Sequence, residues 1–183
     1  MPNTKKKNPS AVIKRSSGQP VRIQVIIETP RGSRNKLKFD PVTRHFKLSK
    51  VLPEGMMFPY DFGYVPSTKA EDGDPLDVLV LSDDALFPGC LVDCVLIGVI
   101  EAEQEEQGEV TRNDRLIAVA EQSLLYAETR TLRDLNPTLL KQIEDFFANY
   151  QRARNIRFTV LARGEAQQTR TVLQKASHKQ KAA

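Results

Sequence analysis

The run from Leu91 to Glu103 (LVDCVLIGVIEAE) constrains this chain more than any other segment. It is rich in Val and Ile and reads as one long strand. The charged stretch 104–114 (QEEQGEVTRND) follows as a hairpin tip, and Arg115 to Ala120 (RLIAVA) reads as the return strand. Such a ribbon needs further strands beside it, and the flanking sequence supplies them. Val21 to Glu28 (VRIQVIIE) is rich in β-branched residues; Lys36–Asp40 and His45–Leu52 form a pair around the turn Asp40-Pro41-Val42-Thr43; Leu76–Leu81 (LDVLVL) is another strand. The segment 52–68, with its prolines, glycines and aromatics but no clean period, is expected to be an ordered loop.

One helix is clear. Leu139, Leu140, Ile143, Phe146, Phe147 and Tyr150 share a face at helical spacing, with Asn136 as cap and Pro137 in the first position. Ile156 to Ala162 reads as a strand and 165–176 as a weaker last helix. Many short antiparallel strands followed by helix, strand and helix imply a mainly β, α+β fold: a small closed barrel with flanking helices.

At 183 residues the chain fits one domain with a sizeable core. Its net charge of +4 is unevenly spread: residues 1–20 carry five Lys or Arg and no acid, residues 165–183 carry four and one Glu, and the body between is net negative. The expected organisation is a basic, solvated tail over 1–20, one barrel domain over 21–176 and a basic C-terminal tail over 177–183. The acidic body, without exposed aromatics interleaved among basic residues, makes a nucleic-acid partner the weaker reading. The longest apolar stretch, Gly89 to Ile100, is broken by Asp93 and is shorter than the ~20 residues of a membrane span. The N-terminus has no apolar leader, so the cytoplasm is the expected compartment. Cys90 and Cys94 have no His cluster for zinc and stand too far apart along a strand to bridge easily; reduced thiols are expected.

The chemistry is concentrated in Glu71-Asp72-Gly73-Asp74-Pro75-Leu76-Asp77. Gly73 and Pro75 force a tight turn that brings Asp72 and Asp74 together, and Asp77 opens the next strand. Carboxylates this close repel one another unless a cation sits among them, and hard oxygen ligands suit Mg²⁺ or Mn²⁺. An EF-hand is excluded, because the positions six and twelve from Asp72 hold Asp77 and Asp83 rather than Gly and Glu. A polar surface turn would show the same residues. Glu28 at a strand end, Lys36 and Lys38 on one face of a strand, and the strand-edge cations Lys50 and Arg115 add alternating acid and base, the pattern of a metal-bound polyanion. His45 and His178 are expected to be incidental.

Several collinear segments carry a resemblance. Glu28-Thr29-Pro30-Arg31-Gly32-Ser33-Arg34-Asn35-Lys36, the stretch Phe58 to Pro66 (FPYDFGYVP), the stretch Glu71 to Val80 (EDGDPLDVLV), Pro88-Gly89, Arg115 to Val119 and Phe146 to Tyr150 resemble, in order, the soluble family I inorganic pyrophosphatases. The similarity spans 21 to about 163. It implies an OB-like five-stranded closed barrel, Mg²⁺-dependent hydrolysis of pyrophosphate (Mn²⁺ as substitute) and a homo-oligomer, a hexamer or smaller. It implies that Asp72 and Asp77 ligate metal, that Asp74 orients or deprotonates the attacking water, that Glu28 holds metal through water, and that Lys36, Arg115 and Tyr150 bind phosphate oxygens.

The chain departs from the family pattern at several of these places. Lys38 stands for Glu, Lys50 for Arg, Arg115 for Lys, Phe58 and Phe62 for Tyr, Gln151 for Lys, and Asn113 for a metal-binding Asp, with Asp114 adjacent; a further hairpin acid is sought at Glu105, Glu106 or Glu109. Glu to Lys and Asp to Asn make the site more positive. The expectation is fewer metals, the Lys38 ammonium standing in for one, and weaker or altered catalysis on an intact fold. Hydrolysis of another small diphosphate compound, or phosphate binding without catalysis, are the alternatives.

Overall fold

The computed structural model describes residues 20–181. The basic stretch 1–20 therefore lies, but for Pro20, outside the described residues. Nine strands and two α-helices follow in order, with a short 3-10 turn at Leu132–Asp134 before α1: β1 (Val21–Thr29), β2 (Asn35–Asp40), β3 (His45–Val51), β4 (Asp61–Tyr64), β5 (Asp77–Leu81), β6 (Leu91–Glu106), β7 (Glu109–Arg112), β8 (Arg115–Ala120), α1 (Pro137–Arg152), β9 (Arg157–Gly164) and α2 (Ala166–Lys181).

Five strands close on themselves. β1 pairs with β4, β4 with β5, β5 with β8, β8 with β6, and β6 returns to β1. This ring is the small barrel expected from the strand count, with β7 and β9 added to the far half of β6. The long strand serves so many partners because its register shifts between Leu96 and Gly98 against β8 and between Glu101 and Ala102 against β9, and such bulges bend a strand. β2 and β3 form a separate two-stranded ribbon beside the ring.

Four expectations need correction. The segment 52–68 is not all loop: it contains β4, whose four residues hold strand geometry because β1 and β5 flank them on both edges. Gly63 is required there, since a Cβ would lie 2.1 Å from the Ile26 carbonyl oxygen. The tip is shorter than 104–114, because β6 runs on to Glu106 and β7 pairs back from Glu109. The pairing is not wholly antiparallel, since β5 and β8 run parallel. The last helix, expected over 165–176, extends to Lys181.

β5 and β8 are apolar at every position after the first because both faces are covered. Val78, Val80, Leu116 and Ala118 join one cluster with Leu173 and Ala176 of α2. Leu79, Leu81, Ile117 and Val119 join another with Leu140, Ile143, Phe147 and Tyr150 of α1. Pro137 begins α1, and Asn136 caps it by accepting from the Thr138 N–H at 2.9 Å. Its buried stripe carries Tyr150 down into an aromatic group of Phe58, Phe62, Phe146 and Phe147. Cys90 and Cys94 are free thiols, as expected, and burial pushes that of Cys94 up. No helix among the described residues is long and apolar enough to cross a membrane.

A buried carboxylate ties β4 to its surroundings. Asp61 accepts from the Arg31 N–H at 2.9 Å, the Ser82 hydroxyl at 2.6 Å and the Leu86 N–H at 3.2 Å. Removing it strands three buried or half-buried donors from two loops. Asp61→Ala is therefore expected to lower stability by about 3 kcal/mol, measured by urea unfolding; a loss below about 0.5 kcal/mol would show that the loops hold without it.

Candidate active site

The site forms where β1, β2 and β5 approach one another. β1 carries the buried Glu28 one residue before its end, and the Glu28 carboxylate accepts from the Phe39 N–H at 2.6 Å, stitching the β2–β3 ribbon to the barrel. Period-two alternation puts Lys36 and Lys38 of β2 on one face. The aspartate loop turns at Gly73, whose φ of +89° is the left-handed region that glycine occupies without strain. Asp72 Oδ1 accepts from the Asp74 N–H at 3.1 Å, which fixes the loop, and Asp77 opens β5. Glu28, Lys36, Lys38, Asp74 and Asp77 line one cavity of about 480 Å³, walled by Phe39, Pro41, Tyr64, Pro66 and Pro75.

Charge is crowded here. Burial, and then the Asp77 carboxylate, push Glu28 up to about 7 against the pull of its Phe39 bond and of Lys36 and Lys38. Burial, and then the charges of Asp77 and Asp74, raise the Asp72 pKa. Two side-chain cations answer them. Lys38 Nζ lies 2.7 Å from Asp74 Oδ2; burial opposes its charge, but Asp74, Glu28 and Asp77 together hold its pKa above the ordinary lysine value. Arg115 Nη1 lies 2.8 Å from Asp77 Oδ2, with its guanidinium 5.4 Å from the Phe147 ring centre. No three His, Cys, Asp or Glu side chains converge on one point among the described residues.

The remaining expected residues reach the site through these. Lys50 faces Lys36 across the β2–β3 ribbon. Lys36 Nζ sits 5.1 Å from the Phe62 ring centre and 5.6 Å from that of Tyr150, so the ring that stands in place of a tyrosine holds this lysine by its π face. Phe58 and Phe62 are both 1% exposed. Asn113 accepts from Arg115 and donates through Nδ2 to Gln104 Oε1 at 2.6 Å.

Two participants were not found by sequence reasoning. The hairpin side chain that meets Asn113 is Gln104, whereas Glu105 pairs with Arg157 at 3.3 Å. Asp114 is engaged elsewhere, with the Ala102 N–H and Arg112. Arg154, just beyond α1, lies 5.7 Å from the Tyr150 ring centre and donates to Gln151 Oε1 at 2.6 Å. An amide in a charged tip and an arginine after a helix carry no local signal of function.

Comparison with known proteins identifies the family. The family model described as inorganic pyrophosphatase matches residues 25–181. An inorganic pyrophosphatase of Nostoc sp. is 38% identical over 133 residues, covering 73% of this chain and 76% of that protein. One from Thermus thermophilus is 37% identical over 132 residues, covering 72% and 73%. The crystal structure of inorganic pyrophosphatase from Thermus thermophilus superimposes with a TM-score of 0.82 at 28% identity, covering 94% of this chain and 97% of that one. The Helicobacter pylori inorganic pyrophosphatase gives 0.84 at 26% identity, covering 96% and 99%. The family model spans most of the described residues and these relatives exceed 30% identity, so the chain belongs to the inorganic pyrophosphatase family.

Proposed function

We propose that the chain hydrolyses inorganic pyrophosphate to two phosphates with a divalent cation, Mg²⁺ or in its place Mn²⁺, held by Asp72, Asp74 and Asp77. The observation that carries this reading is the single cavity in which the acidic loop meets Glu28, Lys36 and Lys38. Family membership supports the substrate.

The donor set fits such an ion. Burial, and then neighbouring carboxylates, raise the pKa values of Asp72 and Glu28, so a cation beside them would relieve crowded negative charge, and the carboxylates are hard oxygen donors. Lys38 and Arg115 already neutralise one oxygen each of Asp74 and Asp77, and Asn113 offers only an amide, so the fit is to fewer ions than an all-carboxylate site would take. Bound there, the ion supplies Lewis-acid charge to phosphoryl oxygens and acidifies water.

The chain's own groups do the rest. Lys36, Lys50 and Arg115 neutralise phosphate oxygens, and the buried aromatic group beneath them excludes bulk water. Lys38 fixes Asp74 through Oδ2, so that this carboxylate is oriented to accept a proton from the attacking water. The water oxygen bonds to one phosphorus as the bridging P–O bond breaks. The electron pair leaves on the bridging oxygen, where cations stabilise it.

Exposed Phe87, Leu124 and Leu125 support a homo-oligomer, and the free thiols support a cytoplasmic setting. The apolar wall of Phe39, Pro41, Pro66 and Pro75 favours one second reading, a diphosphate bearing an organic group.

Phosphate release from pyrophosphate by the purified protein, in Mg²⁺ and then Mn²⁺, is the direct test. Asp74→Asn is expected to lower kcat by about 10²- to 10⁴-fold. Wild-type protein that releases phosphate only from organic diphosphates would establish the second reading, and none from either would leave a binding protein.

The alkaline limb of the pH profile gives an independent check. Burial, and then repulsion from Arg154 and Lys36, lower Lys50 to about 8. As pH rises through 8 this cation is lost, so kcat/KM should fall from there. Lys50→Arg keeps its charge and should carry the limb upward by about one pH unit or more. An unmoved limb would remove Lys50 from substrate binding.

A further inference from the structure

Three cations gather around the end of α1. The Lys36 ammonium and the Arg154 guanidinium lie 5.6 Å and 5.7 Å from the centre of the same Tyr150 ring. Lys50 stands across from Lys36 on the ribbon, close enough that Arg154 is the strongest charge acting on it. The only acid felt by Lys50 among its largest influences is Glu106. The Tyr150 hydroxyl, in a residue 5% exposed, has no hydrogen-bond partner among the described residues. A buried donor without an acceptor is costly, and so is a knot of like charges. Both costs are relieved by one ligand: an anion with several oxygens.

Arg154 is placed there by the way the helix stops. Its N–H donates to the Gln151 carbonyl at 2.9 Å, Asn155 adopts a φ of +59°, and the Ile156 N–H returns to the same carbonyl at 3.1 Å. Asparagine tolerates that left-handed backbone better than most residues. The turn folds Arg154 back over the last helical turn, where Gln151 Oε1 receives its Nη1. Gln151 is anchored in turn, donating through Nε2 to Gln104 Oε1 at 3.2 Å. Position 151 is thus a neutral amide that holds a neighbour's charge. The adjacent Arg152 differs: it is exposed and bonds to Asn149 Oδ1 at 2.8 Å.

We propose that Arg154 is a substrate-binding residue, which with Lys36, Lys50 and the Tyr150 hydroxyl forms the subsite for one phosphoryl group of pyrophosphate. Gln151 is the positioning residue that aims its guanidinium. A guanidinium presents paired donors to phosphate oxygens, which an ammonium at position 151 would not. The inference rests on the pyrophosphatase reading above.

The test compares wild type with Arg154→Ala, Arg154→Lys, Arg152→Ala and the double variant Arg154→Ala/Gln151→Lys. Two readouts are taken: KM and kcat for pyrophosphate at saturating Mg²⁺, and inorganic phosphate binding by calorimetry. Arg154→Ala should raise KM and weaken phosphate binding by about 10- to 100-fold, with kcat changed less than KM. Arg154→Lys should lose less, the double variant should recover part of the affinity, and Arg152→Ala should match wild type. Wild-type KM and phosphate affinity in Arg154→Ala, or an equal loss in Arg152→Ala, would overturn the proposal. Wild type that binds phosphate through Arg154 without turning over pyrophosphate would uphold the anion subsite while refuting the hydrolase reading. Wild type that neither binds phosphate nor turns over would refute both.

Discussion

The parallel pairing of β5 with β8 is the constraint on which the site depends. Val78 lies opposite Leu116, so the residues that open the two strands, Asp77 and Arg115, stand side by side and form an ion pair. Antiparallel pairing would have sent Arg115 to the opposite end of the barrel. β4 adds Tyr64 opposite Asp77, and β1 reaches the same end with Glu28. Four segments far apart in sequence are therefore brought to one rim by ladder hydrogen bonds, and the two apolar clusters behind them keep that rim rigid.

Electrostatics on that rim are organised as pairs, and the pairs explain the substitutions better than losses do. Lys38 brings a positive charge to Asp74 where the family resemblance puts an acid. Phe62 offers a ring face to Lys36 in place of a hydroxyl. Phe58 packs against Phe62, Phe146 and Tyr150 and belongs to the buried platform rather than to the cavity wall. Aromatic faces hold ammonium groups without neutralising them, so Lys36 stays available to an anion.

A residue's role is legible in the sequence where it is decided locally. Alternation and β-branching exposed β1, β5 and β8; a capped apolar stripe exposed α1; Gly73 and Pro75 exposed the turn that gathers Asp72 and Asp74. It is not legible where partners decide. Asp61–Tyr64 has no strand pattern of its own, and its extended form comes from neighbours on both edges. The parallel direction of β8 cannot be read from RLIAVA, which suits either direction. Acids are conspicuous in the hairpin sequence, whereas Gln104 meets Asn113 only through the register that sets Glu103 opposite Arg112.

That register leads to the feature that most separates the two sides of the proposed site. From Arg154 a line of neutral groups, Gln151, Gln104 and Asn113, runs to Arg115. Carboxamides both donate and accept, so this line satisfies itself while its two ends carry positive charge. Carboxylates at the same places would have neutralised Arg115 and Arg154 and drawn cations to the hairpin. With amides there, the line itself adds no negative charge between Arg115, which pairs with Asp77, and Arg154. Phosphoryl oxygens suit the guanidinium groups at the two ends of this line, in keeping with the phosphate-binding role proposed for them.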